Sequence, residues 1–159
     1  MLSIRRATET DVDALVPLKA SVHALHVERR PDFFKAMNLD EVTAWVRERF
    51  EEQTTHVWMA EDDGNPIGYM LATRRKREET PFSIARQWCE IEEVAIDESW
   101  RKRGIARALL ERVVAHAHES GLDTVELSTW AFNEPAQAAF ARMGFEPMLT
   151  RYELSGLNR

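Results

Sequence analysis

Apolar residues recur along this chain at two spacings, and the switch between them predicts the order of its elements. Leu2-Ser3-Ile4-Arg5-Arg6 alternates and reads as a short first strand. Thr8, with Asp11 three residues on, offers a helix cap. Leu15, Leu18, Val22 and Leu25 then recur at helical spacing to about Val27, until Arg30-Pro31-Asp32 breaks the pattern. A second helix is predicted from Asp40 to Glu51, with Val42, Trp45, Val46 and Phe50 as its apolar stripe. Thr55 to Ala60 and Ile67 to Thr73 read as two strands of a hairpin, because Asp62-Asp63-Gly64-Asn65 between them tolerates the backbone angles of a tight turn. A longer strand spans Gln87 to Ile96. Ile105, Leu109, Val113 and Ala117, with Leu110 and Val114, form one helical face that Gly121 closes. Asp123 to Thr129 reads as a strand, Glu134 to Met143 as a helix stopped by Gly144, and Phe145 to Leu154 as a final strand region broken by Pro147. The order β-α-α-β-β-β-α-β-α-β predicts an α/β fold, a mixed sheet carrying helices on both faces.

Length narrows this to one domain over residues 1–159, since 159 residues with 44% hydrophobic content support a single core. A formal charge of −6 argues against a nucleic-acid binder and favours cationic acceptors. The run Arg74-Arg75-Lys76-Arg77 could touch phosphate or RNA, but reads better as a solvated strand end balanced by Glu78 and Glu79. A single cysteine, Cys89, excludes an internal disulfide and reads as a small buried hydrophobe rather than a nucleophile. Met1 to Thr10 has no hydrophobic signal region and no run reaches membrane-spanning length. The expectation is a cytoplasmic protein with neither membrane nor nucleic acid as partner.

Two adjoining segments carry the candidate chemistry. Cys89 to Ile96 places Glu90, Glu92 and Glu93 in a strand otherwise suited to the middle of a sheet. Plain alternation sets Glu90 and Glu92 on one face and Glu93 on the other, with a bulge as the way to change that parity. For each glutamate singly, an exposed strand start is the competing reading. Arg101-Lys102-Arg103-Gly104-Ile105-Ala106 then opens a helix, with Arg107 following. Small residues let a ligand approach the backbone, and free N–H groups at a helix start attract anions. By physics alone this is either a diphosphate site or an ordinary basic helix start.

These residues resemble those of the GNAT superfamily of acetyl-CoA-dependent N-acetyltransferases, whose signature is Arg/Gln-x-x-Gly-x-Gly/Ala between a strand and a helix. Arg101, Gly104 and Ala106 match it, and Asn133 to Phe145 resembles the family's closing Asn-x-x-Ala helix ending in Gly-Phe. The order of elements is similar over essentially the full chain. The resemblance implies a mostly antiparallel central sheet and transfer of acetyl from acetyl-CoA to a primary amine by direct attack, with no metal.

It also implies roles. Val94 would supply the N–H that polarises the acetyl carbonyl, and Val94, Ala95 and Ile96 would run beside the pantetheine arm. Arg101, Lys102, Arg103, Gly104, Ile105, Ala106 and Arg107 would hold the pyrophosphate, with Asn133 and Phe140 also on the cofactor. Glu92 or Glu90 would act as base, with Glu93 behind them. His23, His26 and Phe33 lie where the family builds its acceptor pocket; packing and capping are the other reading of the histidines, and no third ligand is spaced to make them a metal site. Trp130, with Phe132, reads equally as acceptor wall or homodimer interface. The family's usual tyrosine acid is replaced by Phe140, which leaves open a CoA-thioester-binding sensor module without turnover. The acceptor is a small-molecule or protein amine.

Overall fold

Ile67 to Thr73 is apolar at nearly every position, and such a run is stable only where both faces of a strand are covered. The computed structural model, which describes residues 1–157, puts it at the centre of the sheet, with every residue from Ile67 to Thr73 buried. The elements are β1 (Leu2–Arg6), α1 (Val12–Arg29), α2 (Leu39–Glu51), β2 (Thr55–Asp62), β3 (Asn65–Arg77), β4 (Arg86–Ile96), α3 (Ile105–Glu119), β5 (Val125–Leu127) and α4 (Glu134–Arg142). The strands lie in the order β1-β2-β3-β4-β5. The first four are antiparallel, and β5 joins β4 in parallel. Residues up to Ser128 form one compact unit, and a second begins at Thr129.

Strand alternation divides the sheet between two helical layers. Val57, Met59, Tyr69, Leu71 and Ala95 pack with Val12, Leu15, Val16 and Leu18 of α1 and Val46 of α2. Trp58 faces the other way, its ring 5.2 Å from that of His116 on α3. Leu109 and Val113 of α3 are fully buried; truncating a buried leucine of this kind to alanine costs about 2–5 kcal/mol.

Local chemistry fixes the joints. Thr8 N–H donates to the Asp11 carboxylate at 2.8 Å, as the capping pattern predicts, and the Arg5 guanidinium clamps the same carboxylate at 2.9 and 2.7 Å. That guanidinium, with lesser help from Thr8, holds the Asp11 carboxyl down at about 2. At Gly68 the backbones of β3 and β4 approach so closely that a Cβ would lie 2.7 Å from Ile96 Cδ1 and 2.8 Å from Ala95 O. Only glycine fits there.

Three expectations need correction. Phe145 to Leu154 forms no strand: Pro147 lacks an N–H, and Met148, Leu149 and Tyr152 are exposed rather than alternating against a core. The strand expected from Asp123 to Thr129 shrinks to Val125–Leu127. The Arg74 to Arg77 run is a continuation of β3: Lys76 pairs with Glu78 as expected, but Arg74 donates to Gln87 and Arg75 to Glu90 and Glu92, all on β4. Among the described residues, no helix is long and apolar enough to cross a membrane.

Between β2 and α3, the His56 and His116 rings meet edge to face at 4.4 Å. Burial first, and the Arg6 charge second, push the His56 imidazole down to about 4, and His116 is lowered by the same two causes. An unfolded histidine titrates near pH 6.5, so the unfolded chain takes up these protons before the folded one does. Stability is therefore complete above pH ~6.5 and falls as pH drops toward ~4. Thermal melts from about pH 7 to about pH 4.5 should show a falling midpoint, and His56→Gln should flatten the fall; an equally steep fall in that variant contradicts the assignment.

Candidate active site

β4 holds one residue more than β3 can pair. The register steps from Leu71 opposite Glu93 to Ala72 opposite Ile91, which leaves Glu92 as a bulge. Glu90 lies opposite Thr73 and Glu93 opposite Leu71, both on the face that packs against α1 and α2. Glu92 reaches Arg49 of α2 on that same face. All three carboxylates thus share one face, which corrects the plain alternation expected from sequence. The extra residue reverses the parity between Glu90 and Glu93.

Cations meet all three carboxylates, with Arg75 shared between Glu90 and Glu92. Glu93 pairs with Lys19 of α1 and accepts a hydrogen bond from Tyr69 Oη at 2.7 Å. Glu92 accepts from Arg49 Nη2 at 2.9 and 2.8 Å and from Arg75 at 2.9 Å, so both its oxygens are engaged. Glu90 accepts only from Arg75 Nε among its described partners, at 3.2 Å. Its side chain is 33% exposed, against 17% for Glu92 and 18% for Glu93. Burial first, and the Glu93 charge next, raise the Tyr69 hydroxyl well above its ordinary value, so it remains a donor. Lys19 and Arg49 lie 4.6 and 5.4 Å from the Trp45 ring, a cation-π arrangement that fixes both side chains.

Sequence reasoning missed these partners. Tyr69 and Arg75 carried a signal, because alternation along β3 puts them on one face with Leu71 and Thr73. Lys19 and Arg49 carried none, since helix packing alone brings them to β4.

Beyond Ile91 the sheet opens. β5 pairs with β4 only at Cys89, Glu90 and Ile91. Asp97 N–H donates to Ile67 O on β3 at 2.8 Å, so by alternation Glu93 and Ala95 also turn their backbone groups toward β3. Val94 and Ile96 then direct theirs to the opposite edge, where β5 has stopped pairing. Arg101 Nε uses that position, donating to Ile96 O at 3.3 Å.

The segment after β4 is held in a conformation few residues adopt. Lys102 has φ 62° and Gly104 φ 81°, both in the left-handed region. Nothing lies within 4 Å of a Cβ built on Gly104, so its need for glycine is conformational and the backbone around it stays open. Gly104 caps α3, whose first turn contains no acid. The N–H groups of Ile105 and Ala106 precede the first helical bond, from Ala108 N–H to Gly104 O at 3.0 Å, where a helix start can face an anion. Arg101, Lys102 and Arg103 are exposed beside them, with Arg103 4.9 Å from the Trp100 ring. This donor set fits a diphosphate.

The remaining candidates divide. His23 and His26 stack at 6.4 Å, and Phe34 meets both rings edge-on. His23 Nε2 bonds to Lys35 O and His26 Nδ1 to Val22 O, so the pair braces the end of α1, while Phe33 is 65% exposed. Cys89 is buried, and burial raises its thiol to about 11, which removes it as a nucleophile. Among the described residues, no group of three His, Cys, Asp or Glu could hold a metal ion. In the second unit Asn133 caps α4, accepting from Ala136 N–H at 3.3 Å. Phe140 packs edge-on against Phe145 at 5.9 Å, and Trp130 stacks on Phe132 at 5.8 Å.

Residues 20–145 match the model of the acetyltransferase (GNAT) family. A mycothiol acetyltransferase of Beutenbergia cavernae is 28% identical over 141 residues, which cover 89% of this chain and 43% of that protein. The chain spans about two fifths of the length of the curated relatives it matches, 42% and 43%. A crystal structure of a Bacillus halodurans protein mutant shares the fold with a TM-score of 0.90 at 24% identity, covering 98% of this chain and 99% of that one. An aminoglycoside N-acetyltransferase solved with CoA shares it with a TM-score of 0.77 at 19% identity, covering 99% of this chain and 95% of that one.

Glu92 joins two elements through Arg49 and Arg75, whereas Glu90 has one long contact. Glu92→Gln should therefore lower unfolding free energy by about 1–3 kcal/mol, because Arg49 loses a charged partner at a largely buried position and keeps only Glu52. Glu90→Gln should cost under about 1 kcal/mol. Urea unfolding of both variants tests this, and equal losses contradict it.

Proposed function

We propose that this chain, which belongs to the GNAT acetyltransferase family, moves an acetyl group from acetyl-CoA to the primary amine of a small molecule by direct attack in a ternary complex. The observation that carries the reading is the β4 edge: Val94 and Ile96 direct backbone groups to a side where β5 no longer pairs, followed by a helix whose start has a left-handed glycine cap and no acid in its first turn. Relatives named for mycothiol and for aminoglycosides support a small-molecule acceptor. The acidic balance of the whole chain is not what an acceptor meets, since Lys19, Arg49 and Arg75 match Glu93, Glu92 and Glu90 in number. The site therefore does not demand a polycation.

Acetyl-CoA supplies the thioester, whose carbonyl carbon takes the amine lone pair as the C–S bond breaks and the thiolate departs. The Val94 N–H would donate to the carbonyl oxygen, where negative charge develops, a preorganised contact that strengthens as the charge grows. Ile96 would bond the pantetheine arm as an added strand. Arg103 to Ala106 would hold the diphosphate through backbone N–H groups, with Arg101, Lys102 and Arg107 as counter-charge. Asn133 and Phe140 are assigned to the cosubstrate by their place in the family motif.

A simple alkylamine is mostly protonated at neutral pH, with a pKa near 10.4. A base must take its proton. Glu90 is assigned that role because, of the three glutamates, it has the fewest partners and the most solvent contact. Arg75, which also binds Glu92, positions it. Tyr69 is committed to Glu93, and Phe140 has no proton to give, so the thiolate would leave unassisted; with a pKa near 8.5 it can do so at neutral pH.

Glu90→Gln should lower kcat about 10²-fold near neutral pH and leave the acetyl-CoA KM within about twofold. Steady-state thiol release measures both, and an unchanged kcat removes Glu90 from the mechanism. Gly104→Val forces a β-branched residue to a left-handed φ, at about 1–2 kcal/mol. The acetyl-CoA KM should rise about tenfold with kcat much less affected; an unchanged KM contradicts the diphosphate assignment.

A further inference from the structure

At the far end of α3 from Gly104, a cleft of about 530 Å³ opens between the ends of β3 and β4 and the turn after the helix. Arg74, Lys76, Arg77, Arg86 and His118 line it, and Asp123 is the single acid among the lining residues. This is the reverse of the chain's overall sign, −6. The guanidiniums are also incompletely neutralised. Arg74 spends its N–H groups on the neutral amide oxygen of Gln87, Nε at 2.9 Å, and Arg77 reaches the backbone oxygen of Ile84 at 3.4 Å. Arg86 pairs with Glu126 and Lys76 with Glu78, while Asp123 accepts from the Thr124 hydroxyl.

We propose that this cleft is a second anion site, taking a small, multiply charged phosphate compound. Two exposed guanidiniums with neutral partners line the cleft, and such groups can turn to phosphate oxygens at little loss elsewhere. The negative end of α3 would oppose an anion, but three of its last four carbonyls are satisfied: Ser120, Gly121 and Leu122 N–H groups donate to His116, His118 and Ala117. The volume lies in the range of small-ligand pockets, about 300–1,000 Å³. The site is separate from the proposed cosubstrate site. The 15 residues of α3 set the two apart by about 22 Å at 1.5 Å per residue. Arg74 lies opposite Cys89, off the face that carries the glutamates. Occupancy would therefore act on the enzyme from outside its chemistry, as a regulatory ligand does.

Isothermal titration of the full chain with tripolyphosphate, run with CoA saturating, tests this without interference from the α3 N-terminus. One tripolyphosphate should bind per chain. Arg74→Gln/Arg77→Gln should weaken it about tenfold or more, and CoA affinity should stay within about twofold. The single variant Arg77→Gln, at an exposed strand end, should weaken it about threefold. Unchanged affinity in both variants, or no binding at millimolar tripolyphosphate, overturns the proposal. So does a single-stranded RNA that displaces tripolyphosphate and binds with a much steeper salt dependence, since the surface would then be a nucleic-acid contact.

Discussion

β4 carries one residue more than β3 between Ile91 and Glu93, and a sheet absorbs such a residue only by turning it out of the ladder. The consequences spread from there. Glu90, Glu92 and Glu93 come to one face, where α1 and α2 bring Lys19 and Arg49 to meet them. Past the bulge, Val94 and Ile96 turn their backbone groups to the edge that β5 leaves open. With Glu92 kept in the ladder, Glu93 would instead lie opposite Met70, on the α3 face, and the Val94 N–H would point back at β3. The carboxylates and the outward-facing Val94 N–H are thus positioned by one backbone irregularity.

The surroundings hold that irregularity in place. Gly68 allows β3 to close on Ala95 and Ile96, so the strand cannot slide without a clash. Arg75 bridges Glu90 and Glu92, and Tyr69 and Lys19 grip Glu93, so each carboxylate is oriented before any ligand arrives. Preorganisation of this kind keeps reorganisation out of the chemical step. It also means that the net charge of −6 is a property of the outer surface, while the carboxylate face is balanced within itself.

Much of this was legible in the sequence, and what was not has a physical reason. The strand at Ile67 to Thr73, the cap at Thr8 and Asp11, the apolar face of α3 and the open turn at Gly104 follow from spacing and residue type. They are local properties of the chain. The bulge was visible only as an option, because whether Glu92 stays in the ladder depends on the register of β3, which no residue of β4 records. Lys19 and Arg49 were invisible for the same reason. Phe145 to Leu154 misled because its apolar content suggests a strand, whereas Pro147 withholds an N–H and the residues beyond it stay exposed.

α3 gives the molecule its polarity. Its N-terminus has a cap with no side-chain hydrogen bond and basic side chains beside it, its C-terminus a basic cleft where three of the last four helix carbonyls are satisfied. Acetyl transfer at the open edge of β4 remains the central claim. Its most direct test is a single-turnover reaction of the protein with acetyl-CoA and a panel of small amines, followed by mass spectrometry of protein and amine together. Acetylated amine should form at the rate of thiol release, with no acetylated protein at any time. Thiol release that acetylates the protein first, or CoA binding with no thiol release for any amine, would contradict the account.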